Sequence, residues 1–181
     1  MKSIAIFFTI ALIFAAGCLS TKKKATLIDV PFIPQNTPNH CGVVAIKTTL
    51  DYYDSNYNPT NIAKEAFVAL LQGTPLEIIA EIANKHNLTT ERRNLDIEGL
   101  RNALNRKEIC IIYLASSSNS PVGHFSIVTG ITNNGKKIRI HGTQRANLWL
   151  PAKKLLKRSS NGKFPTLIIS RPHMKKQKHL K

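Results

Sequence analysis

The spacing of apolar residues changes near residue 108, and this change constrains the fold more than any other feature of the sequence. Before it, apolar residues recur at helical spacing, as over residues 41–53. After it come β-rich runs over residues 108–114 and 124–132, followed by a hairpin turn signal at Asn133-Asn134-Gly135. Helices followed by antiparallel strands predict an α+β domain.

Start and stop signals divide the first half into four predicted helices. The first begins at Cys41, and a second is expected over residues 61–72 with Thr60 as its cap. Residues 74–77 form a capping box with proline at the first helical position, which predicts the start of a third helix. Asp96 is placed to cap a short fourth helix.

The second half predicts an antiparallel sheet. After the two apolar runs, a return strand is expected over residues 137–141, and two more over residues 148–150 and 165–170. A short helix from Pro151 separates the last two strands. We therefore expect N-terminal helices packed on a C-terminal antiparallel sheet.

Length and cysteine content restrict the class of protein. The chain has 181 residues, which suits one domain and rules out two of full size. Its three cysteines are too few for a disulfide framework, no CxxC pair occurs, and the six histidines lack ligand spacing. We expect no structural zinc site and no cofactor.

Residues 1–17 have the pattern of a secretory signal. Lys2 precedes an apolar run over residues 4–14, which is shorter than the roughly 20 residues a spanning helix needs. An uncleaved anchor helix is the alternative. Ala15-Ala16-Gly17-Cys18 also resembles the bacterial lipoprotein box, which implies cleavage before Cys18 and its lipidation. Because Leu19 is not the aspartate of an inner-membrane retention signal, we expect a lipid-anchored protein of the bacterial outer membrane that faces the periplasm.

Basic segments flank the predicted domain. Residues 18–27 are expected to hold the lipidated cysteine and a linker, residues 28–170 the folded domain, and residues 171–181 a basic tail. The formal net charge is +16. Basic segments beside a lipid anchor attract anionic lipid by about 1 kcal/mol per charge, and solvated ends that bind nothing are the equal alternative. Aromatic residues do not interleave with the charges, so we expect no nucleic-acid partner.

Three polar residues form a candidate catalytic group. Cys41 begins a predicted helix, where the positive end of the helix dipole favours the nucleophilic thiolate. His124 begins a predicted strand, from which an imidazole can act as base on a helix-terminal thiol. Gln35 lies six residues before Cys41, where its amide can donate to an oxyanion. Taken singly, each has a structural explanation, so the combination carries the hypothesis of a thiol hydrolase.

Several segments resemble the bacteriocin-processing (double-glycine leader) cysteine peptidases, which form cysteine-peptidase family 39. These segments are residues 30–35, 41–45, 50–53 and 123–130. The resemblance covers residues 28–170 and extends to a stand-alone lipoprotein subgroup. It implies a papain-like fold and a peptide or protein substrate. It also implies that Cys41 is the nucleophile, His124 the base and Gln35 the oxyanion donor.

The sequence departs from this family at the third catalytic position. The family places an aspartate after the strand that follows the histidine, and residues 139–144 contain no carboxylate. His141, Gln144 or a backbone carbonyl would have to orient the imidazole instead. We therefore expect a membrane-anchored cysteine peptidase with a Cys–His dyad or triad, and the alternative is a catalytically inactive papain-like module that binds peptides.

Two further observations concern the remaining chemistry. Cys110 lies between two isoleucines of a predicted strand, and we expect it to be an inert core residue. The chain has no G-x-x-x-x-G-K-[ST] loop, so we expect no ATP-binding domain within it.

Overall fold

The computed structural model describes residues 24–116 and 123–172. Its helices are α1 (Cys41–Tyr52), α2 (Pro59–Ala66), α3 (Leu76–Lys85), α4 (Ile97–Asn105) and α5 (Ala152–Leu156). Its strands are β1 (Thr26–Leu27), β2 (Thr89–Leu95), β3 (Ile109–Leu114), β4 (His124–Ile131), β5 (Lys137–Ile140), β6 (Leu148–Pro151) and β7 (Phe164–Ser170). Helices packed on an antiparallel sheet confirm the predicted α+β class.

The strands form a single sheet in the order β2-β7-β3-β4-β5-β6, and β1 pairs with the end of β4. All pairings between the described strands are antiparallel. Strands β3 and β4 lie at the centre, with Leu114 opposite His124. Because His124 is the first residue of β4, the sheet presents it at one end of its central strands.

The core lies where the helices meet the sheet. Helix α1 packs against α3 and β4, and α4 packs against β3 and β4. The side chains buried at these contacts include Ile46 and Leu50 of α1, Leu100 of α4 and Ile111 of β3. Burying one such side chain stabilises the fold by about 1.5–3 kcal/mol. This packing fixes the N-terminus of α1 beside the start of β4.

Several local predictions are confirmed. Helix α1 begins at Cys41, and α4 begins at a cap in which the Asp96 carboxylate accepts a hydrogen bond from the Gly99 amide at 2.7 Å. The β4–β5 hairpin turns where expected, with Gly135 at a φ of 67°. Such a backbone angle favours glycine because a side chain would be strained there.

The predicted second helix was wrong in its cap and its length. Helix α2 is capped by Asn58, whose side chain accepts hydrogen bonds from the amides of Thr60 and Asn61, and it ends at Ala66. The chain then extends and forms one 3-10 turn over Ala69–Leu71. Leucines 70 and 71 are exposed in this turn, so their apolar character gave a false helical signal.

The predicted capping box was also wrong. Helix α3 begins at Leu76 after an extended Pro75, and the Thr74 hydroxyl is buried without a hydrogen-bond partner among the described residues. Within the expected linker, β1 pairs with β4. Strand β2 was not predicted, because it is an edge strand whose residues are mostly exposed and polar and therefore lack apolar alternation.

Candidate active site

The thiol of Cys41 lies at the first turn of α1. His40 precedes the helix without a side-chain cap, and its carbonyl accepts the first helical hydrogen bond from Val44 at 2.9 Å. Cys41 is a free, partly exposed cysteine. The first amides of a helix have no carbonyl partner within it, so they create a positive environment at this thiol.

Gly42 allows a neighbouring segment to pack against the start of α1. A Cβ atom on Gly42 would lie 2.4 Å from the Cβ of Thr74, which is closer than two carbons can approach. Thr74 therefore occupies the space that a side chain at position 42 would need. The residues from Leu71 to Pro75 consequently form a wall beside Cys41.

His124 lies beside this thiol-bearing turn and is partly buried. Burial, and then the positive charge of Arg158, lower the pKa of His124. The preceding residue, Gly123, packs under the ring of Tyr113, since a Cβ there would lie 2.0 Å from the tyrosine oxygen. No hydrogen bond joins the His124 ring to another residue within the described ranges.

Gln35 is held by the loop that follows β5. The backbone N–H of Gln35 donates to the Thr143 carbonyl at 2.8 Å, and the backbone carbonyl of Gln35 accepts from the Gln144 side chain at 2.5 Å. The side-chain nitrogen of Gln35 donates to the Thr37 carbonyl at 3.1 Å. Its side-chain oxygen, Oε1, is buried and has no hydrogen-bond partner among the described residues.

Two adjoining cavities share Gln35, Cys41 and His124 as lining residues. The larger has a volume of about 430 Å³, and its other walls include Leu71, Tyr113 and Phe125. The smaller has a volume of about 20 Å³ and lies between α1, β4 and the residues that follow β5. The three residues singled out in the sequence therefore lie together where the two cavities adjoin.

His141 also lines the smaller cavity, but its ring is fully engaged by the backbone. The Nε2 atom lies 3.2 Å from the Val30 carbonyl, and the Asn147 amide donates to Nδ1 at 3.3 Å. This pattern requires a neutral ring with the proton on Nε2. Burial accordingly lowers the pKa of His141. Neither ring nitrogen is left to orient His124, and the Gln144 amide is engaged by Gln35.

The other residues singled out in the sequence lie away from these cavities. Cys110 is fully buried in β3, and burial raises the pKa of its thiol to about 12, as expected for an inert core cysteine. Cys18 lies outside the described residues. Within residues 24–116 and 123–172, no cluster of three or more potential ligands suits a metal ion, and no helix is long and apolar enough to span a membrane.

Sequence reasoning missed Ser126, Tyr113 and the wall around Thr74. Ser126 lines the smaller cavity and is 3% exposed, and its hydroxyl has no partner among the described residues. A serine two residues after His124 in an otherwise apolar strand is a signal that could have found it, because alternate strand residues share a face. The wall around Thr74 was not recognised, because residues 61–72 were predicted to form one continuous helix.

Comparison with known proteins identifies the family. The family model described as the peptidase C39 family matches residues 29–162. The chain belongs to this family. The match spans the cysteine turn, the histidine strand and most of the sheet, so the C39 domain provides the scaffold of a cysteine peptidase. No functionally curated protein matches the chain.

Solved structures of C39 domains share the fold. A double-glycine-motif protease from an AMS/PCAT transporter, solved with the leader peptide, is 21% identical with a TM-score of 0.61, covering 81% of this chain and 94% of its own. The peptidase domain of Streptococcus ComA is 17% identical with a TM-score of 0.59, covering 82% and 98%. A C39-like peptidase from Bacillus anthracis is 13% identical with a TM-score of 0.64, with the same coverage. These similarities establish the papain-like fold.

Proposed function

We propose that this C39 domain is a cysteine peptidase that cleaves peptide bonds with the thiol of Cys41. In this proposal His124 is the base and Gln35 donates to the oxyanion. The observation that carries the proposal is that these three residues line both of two adjoining cavities, one of which is large enough to admit a peptide segment. A nucleophile, a base and a donor around one accessible space are what acyl transfer needs.

The chemistry follows from these positions. The Cys41 sulfur attacks the substrate carbonyl carbon as its proton passes to the His124 ring. The oxyanion that forms accepts hydrogen bonds from the side-chain amide of Gln35 and from the backbone N–H of Cys41, which has no helical partner. His124 then gives its proton to the leaving amine, and the C–N bond breaks to leave a thioester on Cys41. Water hydrolyses this thioester and regenerates the thiol.

The substrate and location belong to the same proposal. One C39 neighbour was solved in complex with a leader peptide, and by that likeness the substrate here is a peptide or a peptide segment of a protein. The larger cavity, with Leu71, Tyr113 and Phe125 in its walls, is the site proposed to bind it. Lipidation of Cys18 would anchor the domain to the envelope membrane, so substrates would be peptides that reach the periplasm.

A specific observation also favours the second candidate, a papain-like module that binds peptides without cleaving them. The His124 ring has no hydrogen-bond partner among the described residues, and burial together with Arg158 disfavours its protonated form. A thiolate–imidazolium pair needs that form. An unactivated thiol beside an intact peptide cavity would give binding alone.

Alkylation of Cys41 as a function of pH separates the two candidates. The full-length chain is treated with iodoacetamide, modification of Cys41 is followed by peptide mass spectrometry, and a free cysteine peptide is the reference. If the protein is a peptidase, we expect iodoacetamide to modify Cys41 rapidly at pH 6 and this rapid reaction to be lost in His124→Ala. We also expect the unmodified chain to cleave members of a peptide library. A rate that rises only near the free-thiol pKa of about 8.5, with no dependence on His124, would overturn the peptidase proposal.

A further inference from the structure

Two buried polar atoms without a hydrogen-bond partner among the described residues belong to side chains that line the smaller cavity. They are the Ser126 hydroxyl and the Oε1 atom of Gln35, and both residues line the cavity. Ser126 is 3% exposed and lies two positions after His124 on β4, so its side chain shares a face of the strand with the His124 ring. Both side chains therefore face α1, where Cys41, Val44 and Thr48 complete the wall.

Buried polar groups are rarely left without a partner, because losing hydration without a new hydrogen bond is unfavourable. The cavity measures about 20 Å³, and a single water molecule needs about 10–15 Å³ on this scale and two to four polar partners. The Ser126 hydroxyl and the Gln35 oxygen supply two partners. His124 lines the same cavity, and one of its ring nitrogens can supply a third.

We propose that this cavity holds one water molecule that is bound by Ser126 and Gln35 and accepts a hydrogen bond from the His124 ring, which makes Ser126 a positioning residue for the base. The role of the base rests on the function proposed above. The water takes the place of a side chain that would otherwise fix the imidazole.

The neighbouring residues support a water rather than a direct protein contact. His141 lines the same cavity, but both of its ring nitrogens are bound to the backbone of Val30 and Asn147. Gly142, the next residue in the cavity wall, has no side chain that could contact the His124 ring. The side-chain nitrogen of Gln144 donates to the Gln35 carbonyl.

Ser126→Ala tests the positioning role, and Thr166→Val is the matched control. Thr166 is another buried hydroxyl residue, on β7, whose hydroxyl donates to the Phe164 carbonyl at 2.8 Å. In Ser126→Ala we expect Cys41 alkylation at pH 6 to slow about tenfold, the effect of one hydrogen bond to a charged group. We also expect the pH at which the alkylation rate rises to increase. Thr166→Val should leave the profile unchanged.

A loss of hydroxyl packing alone would affect both variants without moving the pH profile. The titratable and charged groups around His124 are Cys41 on α1, His141 after β5 and Arg158 after α5, and neither variant changes them. A Ser126→Ala profile that superimposes on that of the unmodified chain would overturn the positioning role.

A high-resolution crystal structure of the full-length chain tests the water independently of activity. Density within hydrogen-bond distance of Ser126 Oγ, Gln35 Oε1 and a His124 nitrogen is the expected result. A dry cavity, or a direct contact between Ser126 and another side chain, would contradict the inference. If the water is present while Cys41 is unreactive in the unmodified chain, the peptidase proposal fails and the water site stands.

Discussion

Two histidines of this domain, the partly buried His124 and the buried His141, line one cavity and use their rings in opposite ways. His141 donates from one nitrogen and accepts at the other, and both partners are backbone groups. The His124 ring makes no hydrogen bond to a side chain or backbone group of the described residues. Burial lowers the pKa of both rings, so burial does not distinguish them. The difference lies in the hydrogen bonds, which tie the His141 ring to the backbone and leave the His124 ring without a bond to the described residues.

This contrast follows from where each residue lies along the chain. His141 follows β5 and joins it to the segment at Val30 and to the loop at Asn147, so it holds together three parts of the fold. His124 begins β4 at the edge of both cavities, next to the first turn of α1. We expect substitutions of the two residues to have different consequences for activity and stability.

The largest expected effect is on activity when His124 is replaced. His124→Ala should lower kcat/KM for a cleaved peptide by about 10²- to 10⁴-fold, because it removes the proposed general base. Its stability in urea should change little, since the ring makes no hydrogen bond within the described residues. A large loss of stability with retained turnover would reverse the assignment of the two histidines.

The next effect is on stability when His141 is replaced. His141→Ala removes two buried hydrogen bonds and the edge contact of the ring with Phe32, whose centroid lies 5.3 Å away. The free energy of unfolding should fall by about 2–4 kcal/mol, as measured by urea denaturation. The folded fraction should retain Cys41 reactivity. Full stability combined with lost reactivity would instead give His141 a part in orienting His124.

A smaller effect is expected on the pH dependence of stability. The folded-state pKa of His141 is lowered from its ordinary value of 6.5, so the unfolded chain binds the proton more tightly. Its contribution is therefore fully present above pH 6.5 and is lost as the pH falls through the lowered value. Urea denaturation between pH 7.5 and 5 should show this decline, and His141→Leu should make it shallower. An unchanged slope in His141→Leu would assign the decline to other groups.

The sequence predicts the residues of this site whose positions depend on local signals. Cys41 follows from a helix start, His124 from a strand start and Gln35 from its spacing to the cysteine. The roles of Ser126 and His141 depend on contacts between distant segments, because the His141 partner at Val30 lies 111 residues away in the chain. Neither hydropathy nor a capping signal encodes such a contact.

The same limit applies to the fold. The central strands β3 and β4 have enough apolar residues to be recognised, and the hairpin turn after β4 is encoded locally by Gly135. The residues of the edge strand β2 are polar and mostly exposed, so only its pairing with β7 identifies it. The exposed Leu70 and Leu71 beside the larger cavity gave a helical pattern without a helix.

The smallest expected effect comes from Arg158, which acts on one histidine only. Its charge lowers the pKa of His124, and its side chain donates to the carbonyls of Leu114 and Ala115. Arg158→Gln should raise the pKa of His124, extend the range over which a thiolate–imidazolium pair can form, and so speed Cys41 alkylation above pH 6. Arg158→Lys keeps the charge and should leave the profile nearly unchanged. Equal shifts of the alkylation profile in both variants would attribute the effect to the hydrogen bonds of the guanidinium. The contrast between the two histidines would then depend on burial and hydrogen bonding, without a contribution from the charge of Arg158.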